Sequence, residues 1–396
     1  MTRIEAIHAD KVVVPFRRPF PTATGMWLAR EAWILRLVDA DGRTGAGEAV
    51  LEPADGETAA TVLEHLVREL AATPRGDRLP TPAELEIHGS PGRALRAALE
   101  SALLDLDAHG ASDASAVARP AGAAESTPVG GSGMGVAVNA TLPSIGPAAS
   151  AEAARQAVEA GFTTLKLKGG AERETEVLAD RVRAVRAAVG PDIRLRLDVN
   201  GAWDLEIATE RLDAVGRFGL EYVEQPLAGD DAMALAELRR RVRIPIAADE
   251  SVTSLRTARE LLDSDAVDVL VVKPVRVGGP AAAAEIADLA AGRGVPVVIS
   301  TLFETGVGIA AGLAIAAALP VIAAASRLGH APHHGLATAG LLEHDLLVEG
   351  LILEEGRMWA PGGEETGRLG IRVDERALTR YGVDRAAMAA WEAWET

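Results

Sequence analysis

From Ile4 to about Glu48 the apolar residues fall in short β-branched or alternating runs, VVVPF and then AWILRLVDADGRTGAGEAV. This pattern predicts strands, with Asp41-Gly42 supplying a hairpin turn. Apolar residues then recur at three- and four-residue spacing over Glu57 to Ala71 and Pro91 to Ala108, which predicts two helices. Between Gly110 and Gly135 the chain is rich in Ala, Gly, Ser and Pro and reads as a linker. After Val136 short apolar runs alternate with alanine-rich helical patterns: VAVNA, TLKLK, IRLRLDVN, EYVEQP, IPIAADES, VDVLVVKP and VPVVIST. Seven or eight strand-then-helix units in succession predict a parallel sheet, and that number favours closure into an α/β barrel of the TIM type over an open doubly wound sheet. The tail from about Leu341 returns to mixed strand and helix. The resulting division is an N-terminal α+β unit with its linker over 1–135, a barrel over 136–335, and a C-terminal segment over 336–396 that packs back on the N-terminal unit.

The chain has 396 residues, which suits a barrel of about 250 residues plus a smaller domain. Hydrophobic residues make up 48% and charged residues 24%, ample for a packed core. A net charge of −17 argues against a nucleic-acid partner and leaves a small molecule as the expected ligand. With no cysteine, disulfides, thiolate metal sites and a cysteine nucleophile are all excluded. The first residues lack an apolar stretch behind a basic start, so a cytoplasmic location is expected. The uncharged run from Thr305 to Ser326 is long enough to raise a membrane span, but Gly306, Gly308, Gly312 and Pro320 interrupt it, and it divides into a buried barrel helix and a following strand. Whether copies of the chain form a homo-oligomer is left open.

Functional groups of a parallel barrel sit where its strands end, and here one strand after another ends in charge. The ends read Lys166-Leu167-Lys168, Asp198-Val199-Asn200, Glu224-Gln225-Pro226, Asp249-Glu250-Ser251 and Lys273-Pro274. Asp198, Glu224 and Asp249 are spaced by about 25 residues, one barrel unit each, so three neighbouring strands aim carboxylates at one point. A hard divalent cation removes their repulsion, and all-oxygen ligation points to Mg²⁺, with Mn²⁺ as a substitute. Lys166 and Lys168 share one strand face on one side of this site, and Lys273 stands on the other. A lysine whose pKa is lowered near a metal and other cations can remove a proton α to a carboxylate. Taken singly, each charge reads as a solvated strand end or a salt bridge, and the joint order Lys-x-Lys, Asp, Glu, Asp, Lys is what favours chemistry. His330, His333 and His334 in GHAPHHG lie in a loop after the barrel pattern and lack zinc-ligand spacing. Gly169-Gly170 and Gly278-Gly279 fit tight strand-to-helix turns, and no Walker or dinucleotide fingerprint is present.

From TLKLKGG through LRLDVN, EYVEQP, AADES, VVKPVRVGG and STLFETGVG the chain resembles the muconate lactonizing enzyme subgroup of the enolase superfamily, over nearly its whole length. The resemblance implies a modified barrel closed by an α+β capping domain, with Asp198, Glu224 and Asp249 as Mg²⁺ ligands and Lys168 as the base. It places Lys273 across the substrate and makes Lys166 a support for the substrate carboxylate or for Lys168. Within the subgroup the chain is most similar to o-succinylbenzoate synthases of menaquinone biosynthesis, through VNATLP, the RLDVNGAWD run including Arg196, and HGLATAGLLEHDLL. In that reaction Lys168 takes the α-proton and then, as an ammonium, helps hydroxide leave from the same face. Lys-Pro-x-Arg, ending in Arg276, and FETGVG also resemble racemases of N-succinylamino acids, and muconate cycloisomerase is a further alternative. Dipeptide epimerase is disfavoured because ISTLFETG lacks paired aspartates. Asn200, Arg196, Glu250, Arg276, Ser300, Thr301 and Glu304 are the expected substrate contacts, and the loop PFPTATGMW from Pro19 to Trp27 is expected to close over the substrate.

Overall fold

The computed structural model describes residues 3–22, 25–72, 79–108, 135–143, 145–229, 231–319, 328–360, 369 and 371–383. All but the last residue of the linker expected between Gly110 and Gly135, the strand expected after Pro320 and the end of the tail lie outside these residues, as do 23 and 24 of the expected closing loop. No helix among the described residues is long and apolar enough to cross a membrane.

Three antiparallel strands, β1 (Ile4–Thr22), β2 (Gly25–Asp39) and β3 (Thr44–Ala49), form the N-terminal sheet in that order. The turn between β2 and β3 is made at Asp41-Gly42, with Gly42 at φ 77°, a backbone region open chiefly to glycine. Helices α1 (Gly56–Ala71), α2 (Pro82–Glu86) and α3 (Ser90–Ala108) follow. The face of β3 toward α3 must be bare: a Cβ on Gly45 would lie 2.1 Å from the Ala102 carbonyl oxygen, and one on Gly47 2.0 Å from that of Ala98. Alternation then turns Glu48 to the other face, toward the barrel.

Parallel strands β5 (Ala140–Leu142), β6 (Thr164–Lys168), β7 (Arg194–Asp198), β8 (Leu220–Glu224), β9 (Ile246–Ala248), β10 (Val269–Val272) and β11 (Val297–Ile299) run side by side in chain order. Between them lie α4 (Pro147–Glu159), α5 (Thr175–Val189), α6 (Leu205–Val215), α7 (Ala232–Arg241), α8 (Leu255–Asp263) and, after β10, the one-turn α9 (Pro274–Val277) and α10 (Pro280–Ala291); α11 (Gly306–Ala318) follows β11. His334-Gly335 closes the ring: His334 bridges Val138 and Gly335 bridges Ser300, both in parallel. The His334 and Gly335 amides donate to Ala137 and Ile299 carbonyls at 2.8 Å each. His334 is therefore a barrel stave, which corrects the expected loop placement; its signal was hidden because the stave is only two residues long.

The expected first strand VAVNA is split. β4 (Val136–Ala137) pairs antiparallel with β13 (Arg357–Trp359), which pairs with β12 (Ile352–Glu354), and the parallel strand begins only at Ala140. Other described residues of the tail join the N-terminal core. Leu342, Leu346, Leu347 and Ile371, with Leu378 and Tyr381 of α12 (Glu375–Tyr381), pack there among Val12, Val14, Leu35 and Leu66.

Strand alternation fixes what the barrel lumen receives. On β10, Leu270 and Val272 join the cluster beneath the helices, whereas Val269 and Val271 pack in the lumen with Tyr222, Ala247 and Val298. Carried upward in steps of two, this phase delivers Lys273, Asp249, Glu224, Asp198 and Lys168 to the same mouth.

Candidate active site

The lysines and acids interlock across the mouth. Lys166 Nζ donates to Glu224 Oε1 at 3.0 Å and stands 2.9 Å from Asp198 Oδ2. Lys168 Nζ donates to the same Asp198 Oδ2 at 2.6 Å and to Asn200 Oδ1 at 3.1 Å. On the other side Lys273 Nζ donates to Asp249 Oδ2 at 2.7 Å. Asp198 and Asp249 are wholly buried and Glu224 is 1% exposed, so none of the three can rely on water for its charge. Burial opposes ionisation of Asp198 and Asp249, yet the adjacent cations outweigh it and hold both below the usual carboxylate range. Glu224 is pushed up to about 8 by burial and by the Asp198 charge. The field also sets the lysines: burial disfavours the Lys166 ammonium, but Asp198 and Glu224 overcome it and raise its pKa well above the ordinary value. Lys273 is raised as well, against burial and Arg276, chiefly by Asp249. Lys166 and Lys273 thus shift in the direction opposite to the lowered lysine expected from the sequence.

Among the described residues no three acids already converge as a cage for an ion; the Lys166 ammonium stands between Asp198 and Glu224. The donor set nevertheless fits a hard divalent cation: three buried carboxylates from adjacent staves, oxygen donors only, with a mutual repulsion that adds to burial in raising Glu224.

The remaining expected contacts fall into separate places. Asn200, at φ 50°, links Lys168 to Glu250, whose Oε1 accepts from Asn200 Nδ2 at 2.9 Å. Arg276 is drawn to the acids: Nη1 donates to Asp249 Oδ1 at 2.6 Å, and Nε to Glu52 Oε1 of the N-terminal unit at 2.7 Å. A cavity of about 210 Å³ opens beside it, lined by Leu51, Glu52, Glu250, Val275 and Leu302 among others. Ser300 and Thr301 are buried at the end of β11, Thr301 Oγ1 lying 3.0 Å from Thr338 Oγ1. Glu304 is turned into the seam with the N-terminal sheet, its Oε2 accepting from the Leu302 amide. Arg196 does not reach the site. It lies two residues below Asp198, wholly buried, with Nη1 donating to Asn139 Oδ1 at 2.9 Å and to the His333 carbonyl at 2.8 Å, Nε to Glu221, and its guanidinium 4.7 Å from the Tyr222 ring. Its donors brace the wall from β7 to the closing stave, so the expectation of a substrate contact is corrected.

Two supports carried no role in the sequence reading. Gln225, wholly buried at φ 39°, accepts from the Asp249 and Ser251 amides at 3.0 and 3.2 Å and donates to Ser251 Oγ at 2.7 Å, locking one acid-bearing turn to the next. Arg181, on the buried face of α5, donates to the Lys168 carbonyl; a charged residue at an apolar-face position was its available signal. Above the mouth, Phe16, Phe20 and Trp27 gather round Phe303 at ring separations of 5.8, 5.0 and 5.2 Å. Aromatics are only 3% of the chain, so this grouping concentrates them at the seam.

A family model described as enolase C-terminal domain-like matches residues 149–377. The chain belongs to the enolase superfamily. Within it, the chain is 42% identical over 267 residues to an o-succinylbenzoate synthase of Thermobifida fusca (strain YX), covering 66% of this chain and 76% of that protein. It is 32% identical over 375 residues to an N-succinylamino acid racemase of Thermus thermophilus, covering 91% and 93%. Among solved structures, a muconate lactonizing enzyme from Pseudomonas fluorescens complexed with muconolactone superposes with a TM-score of 0.79 at 25% identity, over 96% of this chain and 100% of that one. A dipeptide epimerase from Enterococcus faecalis V583, complexed with Mg and the dipeptide L-Leu-L-Tyr, gives 0.72 at 26%, over 90% and 96%. These neighbours are barrel enzymes with a capping domain, and the N-terminal sheet with its helices and tail is the corresponding cap here.

Proposed function

We propose that this enolase-superfamily member is an o-succinylbenzoate synthase, dehydrating a succinyl-hydroxycyclohexadiene carboxylate to the aromatic product. The observation that carries the reading is the placement of lysine amines on both flanks of three buried acids from the intervening staves. Asp198, Glu224 and Asp249 would hold Mg²⁺, or Mn²⁺ in its place, and a magnesium-bound epimerase among the similar structures supports this. When bound, the cation stabilises negative charge developing on the substrate carboxylate.

Lys168, neutral, takes the proton from the carbon α to the carboxylate. The C–H electron pair passes first onto the substrate carboxylate as an enediolate and then forms the new ring double bond as the C–OH bond breaks on the same face, where Lys168 gives its proton to the departing hydroxide, releasing water. Lys273 remains an ammonium on the opposite face, where its charge favours the anionic intermediate and its position suits a cation–π contact with the forming ring. Lys166 keeps a positive charge beside Asp198 and Glu224. Asn200 orients the Lys168 amine, and Arg276 holds Asp249 in place.

The test offers the Mg²⁺-loaded protein the synthase substrate in D₂O and follows aromatic product. Absence of product with correctly folded, metal-loaded protein would refute the assignment. A second reading, racemisation of N-succinylamino acids, is favoured by the paired lysines with Arg276 on Asp249 and by the Thermus relative. It is read in the same experiment as α-deuterium exchange into an N-succinylamino acid, with Lys168 and Lys273 serving one face each.

A further inference from the structure

We infer that Glu48 of the cap is a positioning residue that clamps the Thr301–Thr305 wall of the substrate pocket. Its side chain is 3% exposed and crosses from β3 to the N-terminus of α11, a barrel helix. Oε1 accepts from the Thr305 amide at 3.0 Å; Oε2 accepts from Thr305 Oγ1 at 2.7 Å and from the Gly308 amide at 2.9 Å. A carboxylate from the cap thus satisfies donors that the helix start leaves open, in a setting shielded from water. Thr305 is also the N-cap of α11, its hydroxyl accepting from the Val307 amide at 3.3 Å.

The loop so held has two anchors and strain between them. Thr301 is fixed to Thr338 at one end and Thr305 to Glu48 at the other. Phe303 between them sits at φ 62°, a left-handed conformation costly for a bulky residue, and the ring that results is seated among Phe16, Phe20 and Trp27. The groups facing Glu48 come from every neighbouring element. Arg30 of β2 reaches it electrostatically while donating to the Leu51 carbonyl at 2.8 Å. Glu304 opposes it, and Asp345 from the tail takes the Gly306 amide of the same helix start at 2.8 Å. Burial, then Glu304, push the Glu48 carboxyl up to about 7. Loss of its charge below that point removes the charge-assisted contacts and slackens the wall.

The identity of the substrate rests on the proposed synthase reading; the clamp does not, so its test has an arm that needs no substrate. In hydrogen–deuterium exchange, Glu48→Gln should speed exchange in the segment carrying Thr305 and Gly308 while leaving the barrel strands protected. With substrate, KM should rise by roughly tenfold with kcat within about threefold, since uniform binding is what a pocket wall supplies. Wild-type KM should climb as pH falls through about 7, and the variant's should be flat. Thr305→Val should act in the same direction more weakly, and its effect should be smaller in the Glu48→Gln background than in the wild type, because the two side chains share a contact and only the N-cap bond to Val307 is then left to lose. Unchanged local exchange and KM would overturn the inference, as would additive variants or exchange raised throughout the chain, which would mark a merely structural role. If the wild type converts neither substrate, the proposed reaction falls while the exchange and coupling results still decide the clamp.

Discussion

Acid should open the barrel at its shortest stave. His334 is 6% exposed, and its Nδ1 accepts a hydrogen bond from the Ile299 amide at 3.0 Å. That contact exists only when Nδ1 carries no proton. Burial, with Arg196 and His333 adding positive charge, lowers the His334 pKa to about 3 from 6.5. The unfolded chain therefore binds the proton first as pH falls, so the contribution to stability is complete above 6.5 and drains away below it. At pH 5 the folded ring is still neutral, and 1.5 units of differential protonation cost about 2 kcal/mol. Against the roughly 5–15 kcal/mol of a typical domain this is a measurable share. The comparison is with His334→Asn, whose side-chain oxygen can accept from Ile299 but does not titrate. Urea unfolding at pH 7 and pH 5 should show the wild type losing about 2 kcal/mol more than the variant between the two pH values, whatever the variant loses at pH 7 through its smaller side chain. His333, lowered to about 4 by burial and the two neighbouring arginines, is present in both proteins and cancels. Equal acid sensitivity in the two would refute the neutral, acceptor state of His334.

Lys168→Ala should lower turnover by several orders of magnitude while circular dichroism stays native; near-normal turnover would remove it as the base. Lys273→Ala should also be severely impaired, and in the racemase assay it should lose exchange for one enantiomer only. Asp249→Asn should weaken Mg²⁺ binding by an order of magnitude or more in calorimetry, and unchanged affinity would contradict a ligand role. Gly47→Ala, which puts a Cβ 2.0 Å from the Ala98 carbonyl oxygen, should cost about 2 kcal/mol in urea unfolding; a neutral result would mean that β3 can move off α3.

The convergence of the charged strand ends was legible because it obeys a short-range rule. Two-residue alternation and the spacing of barrel units suffice to bring Lys168, Asp198, Glu224, Asp249 and Lys273 to one mouth, without knowledge of long-range packing. Arg196 was misread for a reason the same rule exposes: it shares the inward face with Asp198 but lies one step lower, where the contacts are Asn139, Glu221 and the closing stave. Alternation gives the face and leaves the depth undecided. The stave itself was invisible because two residues carry no period. Glu48 and Gln225 were passed over because their partners are tertiary: the Glu48 contact with Gly308 spans 260 residues, and Gln225 works through backbone amides, which any sequence would offer.

One oxygen shows why the lysines and a metal belong to the same argument. Asp198 Oδ2 serves both Lys166, at 2.9 Å, and Lys168, at 2.6 Å. On the proposed reading the base, Lys168, is therefore held by an acid that would also bind the cation. Whatever positive charge occupies the acids competes for that oxygen and weakens its hold on the amines. On the proposed reading, loading the acids would release the Lys168 amine in one exchange of partners. The same reading accounts for amines closing both flanks of the three acids rather than standing apart from them, since acids and amines would set one another's charge.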